Sequence, residues 1–85
     1  MAITYDVVAA SYGAVVGDDN KAKDVSDGLQ HLLNNSSNGV IKIDNTTMGG
    51  DPAPGHKKHF GAIVRVSGAI GRPFACEESQ TIDFS

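Results

Sequence analysis

The stretch HFGAIVRVSG, residues 59–68, sets the fold class, because apolar side chains recur at every second position along it. Every second residue from Phe60 to Val66 is apolar and would share one face of an extended chain, whereas Ile63 and Arg65 would share the other face. This period of two is typical of a strand, and the β-branched residues favour the same structure. The sequence therefore predicts a strand over this stretch.

Two more strands are predicted downstream. SGAIG, residues 67–71, has the composition of a hairpin turn, and RPFAC, residues 72–76, follows as an extended segment. Pro73 cannot donate a ladder hydrogen bond, so we expect this second strand to lie at the edge of a sheet. EESQ, residues 77–80, forms the next turn, and TIDF, residues 81–84, alternates as the last strand.

Two segments upstream alternate in the same way. GVIKIDN, residues 39–45, follows a turn at Asn38-Gly39 and is predicted to be a strand. AITYDVVAASYG, residues 2–13, predicts the first strand. We expect the polar run at 17–23 to be an exposed loop. A calcium loop is the alternative there, but the run lacks the alternating carboxylates and the distal glutamate of an EF-hand.

One helical segment is predicted, in DVSDGLQHLLNN, residues 24–35. The apolar residues Val25, Leu29, Leu32 and Leu33 recur at the spacing of one helical face. The aspartate or the serine that flanks Val25 could cap the start of the helix. An internal glycine costs about 1 kcal/mol relative to alanine, so we expect a short helix or helical turn followed by extended chain.

Five short strands separated by turns predict a mainly β domain over residues 1–85. Its expected form is a compact antiparallel β-sandwich or barrel-like sheet of about five strands, with at most one short helix. The strand around Ile63 carries apolar residues on both faces, so a helix or a second subunit could cover its outer side. The predicted core residues are Ile3, Tyr5, Val7, Leu29, Leu32, Ile41, Ile43, Ile63, Val64, Val66, Phe74, Ile82 and Phe84.

Composition narrows the functional classes. Eighty-five residues make one domain with a thin core, and the single cysteine, Cys76, cannot form an intrachain disulfide, so we expect a homodimer to supplement the core. The 7 basic and 10 acidic residues give a net charge of −3, which argues against a nucleic-acid partner. Neither a signal peptide nor an apolar run of about 20 residues is visible, so we expect a cytoplasmic protein without a membrane span.

The stretch TMGGDPAPGHKKHF, residues 47–60, holds the least ordinary chemistry of the chain. Gly50 and Gly55 have the spacing of a phosphate-binding loop, but His56 replaces the lysine and a strand follows instead of a helix. His56 and His59 would point to opposite faces of a strand, so they could hold a metal only from a turn. We therefore expect no nucleotide, metal or other cofactor here.

A ligand-binding loop and a structural turn remain as interpretations of this stretch and its flanks. Aspartate, asparagine and glycine-exposed amides suit sugar hydroxyls, and the ring of Tyr12 or Phe60 could stack on a sugar. The same Asp-Pro and Pro-Gly pairs also shape turns without any ligand. The predicted ligand-binding residues are Tyr12, Asp44, Asn45, Thr46, Gly50, Asp51, His56, Lys57 and His59.

A series of short motifs runs through the chain in a fixed order. The motifs are Tyr12-Gly13, Asp24-Val25-Ser26, Gly50-Asp51-Pro52, Pro54-Gly55, Lys57-Lys58 and Thr81-Ile82-Asp83-Phe84. In this order they resemble a small domain of unknown function, found at the C-terminus of a mitochondrial DnaJ-type co-chaperone and as short stand-alone or appended modules in fungi and bacteria. Ser26 stands where threonine is usual, and His59-Phe60 replaces an aliphatic strand start. The resemblance implies a β-rich accessory module and assigns no catalytic residues.

Three functional hypotheses follow. The first is a non-enzymatic, carbohydrate-binding cytosolic lectin of the fungal type, in which a dimer presents two sugar sites. The second is a protein–protein interaction module of the co-chaperone-associated family, whose edge strand at RPFAC accepts a strand of its partner. The third is a small hydrolase that uses His56, Lys57 and His59. For a ligand site in the loop, we expect Asp51→Ala to weaken binding and to leave the fold intact.

Overall fold

Residues 3–85, which the computed structural model describes, form six strands and one helix. In chain order the elements are β1 (Tyr5–Val16), β2 (Asp19–Asp24), α1 (Ser26–Asn34), β3 (Val40–Lys42), β4 (His59–Val66), β5 (Arg72–Glu77) and β6 (Thr81–Asp83). No helix in this part of the chain is long and apolar enough to cross a membrane.

The strands form two antiparallel sheets. One has four strands in the order β2-β1-β4-β5, and the other pairs β3 with β6. Phe84, just after β6, joins the sheets: its ring centroid lies 4.6 Å from that of Phe74 on β5 and 6.4 Å from that of Phe60 on β4. Helix α1 packs on β1. The prediction of a mainly β, sandwich-like fold with one short helix is confirmed.

Strand β1 carries a bulge that shifts which residues face the core. Its register against β4 slips between Val7 and Ala9, so the buried face continues at Ala10 and Tyr12 rather than at odd-numbered positions. A bulge adds one residue to one strand and bends it. The simple alternation therefore holds only for the first half of β1. Ile3, predicted to be in the core, precedes the strand and is 46% exposed.

The prediction of a loop at residues 17–23 is wrong, because most of this segment is strand β2, although the segment is exposed as expected. Gly17 has a φ of 65°, which allows the chain to reverse, and Asp19–Asp24 then pairs with Ser11–Val16 of β1. The strand was hidden in the sequence because its residues are polar. It lies at an exposed sheet edge, where charged residues are usual and protect against unwanted pairing.

Helix α1 confirms the helical prediction, but its start differs from the expected cap. The N-cap position is Val25, and no side chain caps it. Instead, Asp24 Oδ1 accepts hydrogen bonds from the Ser26 N–H at 2.8 Å and the Ser26 hydroxyl at 2.6 Å. The Ser26 Oγ also accepts the Ala10 N–H at 2.9 Å. Asp24 therefore holds Ser26, the first residue of the helix, and Ser26 fastens the helix to β1.

The core lies between the four-stranded sheet, α1 and the β3–β6 pair. Its buried residues are Ala10, Tyr12, Val25, Leu29, Leu33, Ile41, Ile43, Met48, Phe60, Ala62, Val64 and Phe84. Further predicted core residues are half-buried around this cluster, namely Tyr5, Val7, Leu32, Val66, Phe74 and Ile82. Ile63 was predicted to be in the core and is 39% exposed, because it points to the opposite face of β4.

Candidate functional site

The segment between β3 and β4 begins with a tight, self-bonded turn. Asp44 Oδ1 accepts the Thr47 N–H at 2.8 Å, and Thr47 Oγ1 accepts the Asp44 N–H at 3.0 Å. The Thr47 hydroxyl also donates to the Lys42 carbonyl at 2.6 Å. The bond from the Thr47 N–H holds the pKa of the Asp44 carboxyl below its usual range. Asp44 therefore orders the turn, and this role occupies one of the two carboxylate oxygens that a sugar site would need.

Tyr12, a predicted stacking residue, lies inside the protein. Its side chain is fully buried, and its hydroxyl donates to Asn45 Oδ1 at 2.7 Å. Burial, followed by the nearby Glu78 charge, raises the pKa of Tyr12 to about 12. Phe60, the other proposed stacking ring, is 3% exposed. The expectation that either ring contacts a sugar is wrong, because both rings belong to the core.

Lys58 is the centre of the Asp-Pro loop, although it was not among the predicted ligand-binding residues. Its side chain is only 3% exposed, and its ammonium lies 2.8 Å from Asp51 Oδ1 and 3.5 Å from Glu78 Oε1. The same ammonium donates to the Ala53 carbonyl at 3.2 Å, and Asp51 Oδ1 accepts the Ala53 N–H at 3.0 Å. These contacts close residues 51–58 into a compact loop around one buried cation.

The charges of this ion pair are mutually stabilised. The hydrogen bond from Lys58 holds the pKa of the Asp51 carboxyl below its usual range, and the same bond raises the pKa of the Lys58 ammonium. A buried charge is tolerated only when it is paired and hydrogen-bonded. The structure therefore gives Asp51 a role in closing the loop, and this role engages its Oδ1.

The remaining predicted residues lie on the surface. Thr46, Gly50, His56 and His59 are exposed, and Lys57 pairs with Glu77 Oε2 at 2.8 Å. His59 lies on β4 opposite Glu77 of β5. Within residues 3–85, no three His, Cys, Asp or Glu side chains are grouped so that they could hold a metal ion. The loop thus offers a few separate polar groups on a well-bonded framework.

A different surface stands out in the structure, the side of the four-stranded sheet that faces away from the core. Two rows of residues cross it from β1 to β5. Ala9, Ile63 and Pro73 form one row, and Ser11, Gly61 and Ala75 form the other. We call these six residues the outer face. All are exposed except Gly61, which is half-buried, and a depression of about 590 Å³ runs over most of them.

Charged residues lie at the two ends of the outer face. At one end, Arg65 of β4 lies 3.7 Å from Asp6 of β1. At the other end, His59 of β4 lies beside Glu77 of β5, which is paired with Lys57. Along the strands the surface therefore has an apolar middle and polar ends, and at its side Asp24 of β2, opposite Ser11, adds a charged residue. The sequence does contain a signal for the outer face, because its six residues occupy the positions that alternate with the core residues. Most of these six side chains are small, so the pattern is easy to miss.

The edge formed by β5 offers little to an added strand. Alternate residues of a strand direct their main-chain groups to the same side, so Pro73, Ala75 and Glu77 share the edge. Pro73 has no N–H, and the Glu77 N–H donates to Gln80 Oε1 at 2.8 Å. The Glu77 carbonyl accepts the Gln80 N–H at 3.2 Å. The predicted edge position of RPFAC is confirmed, but only Ala75 presents both main-chain groups to a partner strand.

The opposite edge, β2, is protected by charge. Its six residues include Asp19, Lys21, Lys23 and Asp24, and most of the strand is exposed. A strand arriving at this edge would have to place its own side chains among these charges, which is how natural sheets discourage edge pairing. The outer face is thus more accessible to a partner than either edge.

Comparisons with known proteins complete the description of the site. Searches against protein-family models, curated proteins and solved structures find no match to this chain. The resemblance to the co-chaperone-associated domain therefore rests on the short motifs alone and stays a prediction.

Proposed function

We propose that this protein is an interaction module that binds another protein surface through its outer face. The observation that carries the proposal is the row of exposed apolar residues Ala9, Ile63 and Pro73 across three paired strands. Burial of apolar surface is the main driving force of protein association. The cores of interfaces are poor in charged residues and their rims are polar. The outer face has the same arrangement, with small or apolar residues in its middle and charged residues at its ends.

Protein binding is better supported than carbohydrate binding. A sugar site needs hydrogen-bonding groups that are free to meet hydroxyls. In the proposed loop site, one side-chain oxygen each of Asp44, Asn45 and Asp51 already accepts a hydrogen bond from the protein. A lectin would have to use Thr46, His56 or other exposed groups without a stacking ring. A glycan array is the direct test of that alternative, and a specific signal would favour it over the proposal made here.

A site-specific photo-crosslinking experiment tests the proposed function. A benzophenone amino acid replaces Ile63 on the outer face, and in a matched variant it replaces Ile70 in the β4–β5 turn, which is 87% exposed. Because the probe at Ile63 would lie within the interface, we expect protease-sensitive adducts with proteins from that position and few from Ile70. Irradiation in native extract followed by mass spectrometry identifies the adducts.

The comparison of the two positions decides the result. Equal yields from Ile63 and Ile70 would indicate collisional labelling and would contradict binding through the outer face. Adducts obtained only from a third variant, with the probe at Thr46, would move the site to the loop. The melting temperatures of all three variants serve as the control for folding.

A further inference from the structure

We propose that the partner of the outer face is a second copy of this chain, related by a two-fold axis that sets Ile63 of each copy over Gly61 of the other. This inference rests on the proposed function, because it uses the same surface. It adds the identity of the partner, the register of the contact and the strength of binding.

The shape of the outer face is self-complementary. Ile63 projects from β4, and Gly61 lies two residues away on the same strand and the same face, a separation of about 6.6 Å. The space above Gly61 is open, since no atom lies within 4 Å of the point where its Cβ would stand. A two-fold axis that crosses the strands midway between the two residues places each isoleucine in the other copy's glycine gap, as an isologous interface requires.

The same axis matches the rest of the middle of the outer face. On β1 it sets Ala9 over Ser11 of the other copy, and on β5 it sets Pro73 over Ala75. All four residues are small or compact, so the two sheets can approach closely without a clash between large side chains. The row of Ala9, Ile63 and Pro73 in each copy then covers the row of Ser11, Gly61 and Ala75 in the other copy.

The charges at the two ends also become complementary. The axis brings the end that carries Asp6 and Arg65 against the end that carries His59 and Glu77 in the other copy. Arg65 lies on β4 and Glu77 on β5, so they are one strand apart, about 4.8 Å, at about 10 Å from the axis. A rotation of roughly 25° between the sheets brings them together at both ends. Twisted sheets that pack face to face adopt an angle of about 30° without any special contact.

The size of the surface predicts a weak dimer. Seven residues along β4 and the three strands of the outer face give roughly 23 by 14 Å, or about 650 Å² of projected area over both copies. Stable, specific interfaces bury about 1,200–2,000 Å² in total. We therefore expect association that depends on concentration, with a Kd above about 1 µM.

Sedimentation velocity of the purified chain, at concentrations from about 10 µM to about 1 mM, tests the inference. We expect the weight-average mass to rise from that of one copy towards that of two. Ile63→Ser removes the projecting side chain and Gly61→Val fills the gap that receives it, so both variants should stay monomeric. Val40→Ser is the matched control, because Val40 is 40% exposed against 39% for Ile63 and lies on β3, away from this face.

A charge exchange tests the register. Arg65→Glu alone, or Glu77→Arg alone, places like charges opposite each other and should weaken the dimer by roughly tenfold. The double variant restores opposite charges and should recover most of the affinity. Thermal melts of the three variants separate these effects from changes inside one copy, where Arg65 faces Asp6 and Glu77 faces Lys57.

A chain that stays monomeric to about 1 mM would overturn the inference. Protein adducts from the probe at Ile63 would then still support the proposed function with a different partner, and their absence would overturn both. A dimer that persists in Ile63→Ser and Gly61→Val would also overturn the inference, because it would use another surface.

Discussion

At the scale of single residues, the buried ammonium of Lys58 explains the Asp-Pro loop. Asp51 was expected to bind a ligand because it is an acidic residue in a glycine-rich turn. The structure pairs it with a lysine that is 3% exposed. The sequence offered no sign of this pairing, since two lysines stand side by side and nothing local distinguishes the buried Lys58 from the exposed Lys57. Burial of one of them depends on how the whole loop folds back.

Replacement of Asp51 by alanine should therefore destabilise the fold, contrary to the expectation drawn from the sequence. It leaves a buried cation with only Glu78 and a carbonyl as partners, and unpaired buried charge is costly. We expect the melting temperature to fall by on the order of 10 °C. Asp51→Asn, which keeps an oxygen acceptor at this position, should have a smaller effect. Circular dichroism melts measure both.

The double variant Asp51→Ala, Lys58→Met separates an orphaned charge from other causes. Because replacement of both partners by apolar groups can be nearly neutral, we expect it to recover much of the stability lost in Asp51→Ala. A melting temperature of Asp51→Ala equal to that of the parent would show that the pair adds nothing to the fold. The carboxylate would then be free for the ligand role first expected of it.

At the scale of elements, two glycines of the same chain should respond in opposite ways to alanine. Gly13 lies in β1 where the backbone of β2 passes so closely that a Cβ would collide with Lys21 and Ala22, whereas a Cβ on Gly28 of α1 would meet open space. Gly13→Ala should loosen the β1–β2 hairpin and lower stability. Gly28→Ala should raise it by about 0.5–1 kcal/mol, because alanine favours the helix. Urea unfolding measures both, and equal signs would contradict the prediction.

The elements also show how far alternation can predict this fold. Strand β4 was predicted well, because Phe60, Val64 and their neighbours keep a strict period of two over its whole length. Strand β2 was missed, because an exposed edge strand has no apolar face to reveal it. The bulge after Val7 was missed because a period of two cannot show where one residue has been inserted.

At the scale of the whole molecule, the candidate site moved from the loop to the sheet. The sequence places polar residues, Asp44 and Asp51, in and beside a glycine-rich loop. Whether those groups are free depends on contacts such as the one between Asn45 and Tyr12, which are 33 residues apart. The outer face is made of residues that are ordinary one by one, and it becomes a surface only when three strands align them.

Acid should destabilise the whole molecule, because five carboxyls hold their protons more weakly in the folded state than is usual. Hydrogen bonds lower the pKa values of Asp24, Asp44, Asp51, Glu77 and Asp83. These hydrogen bonds to the charged carboxylates stabilise the folded state fully above about pH 4. As the pH falls through about 4, the unfolded chain takes up protons before the folded chain does, so this stabilisation is lost.

We expect the melting temperature to change little between pH 7 and about pH 5, and to fall as the pH drops further towards about 2.5. Differential scanning calorimetry at a concentration below that of the proposed dimer measures this for a single copy. Asp51→Asn should show a shallower decline, because its amide cannot titrate. A melting temperature that stays constant down to about pH 2.5 would mean that these hydrogen bonds do not distinguish the folded from the unfolded chain. The ion pair at Lys58 would then also contribute less than its burial indicates.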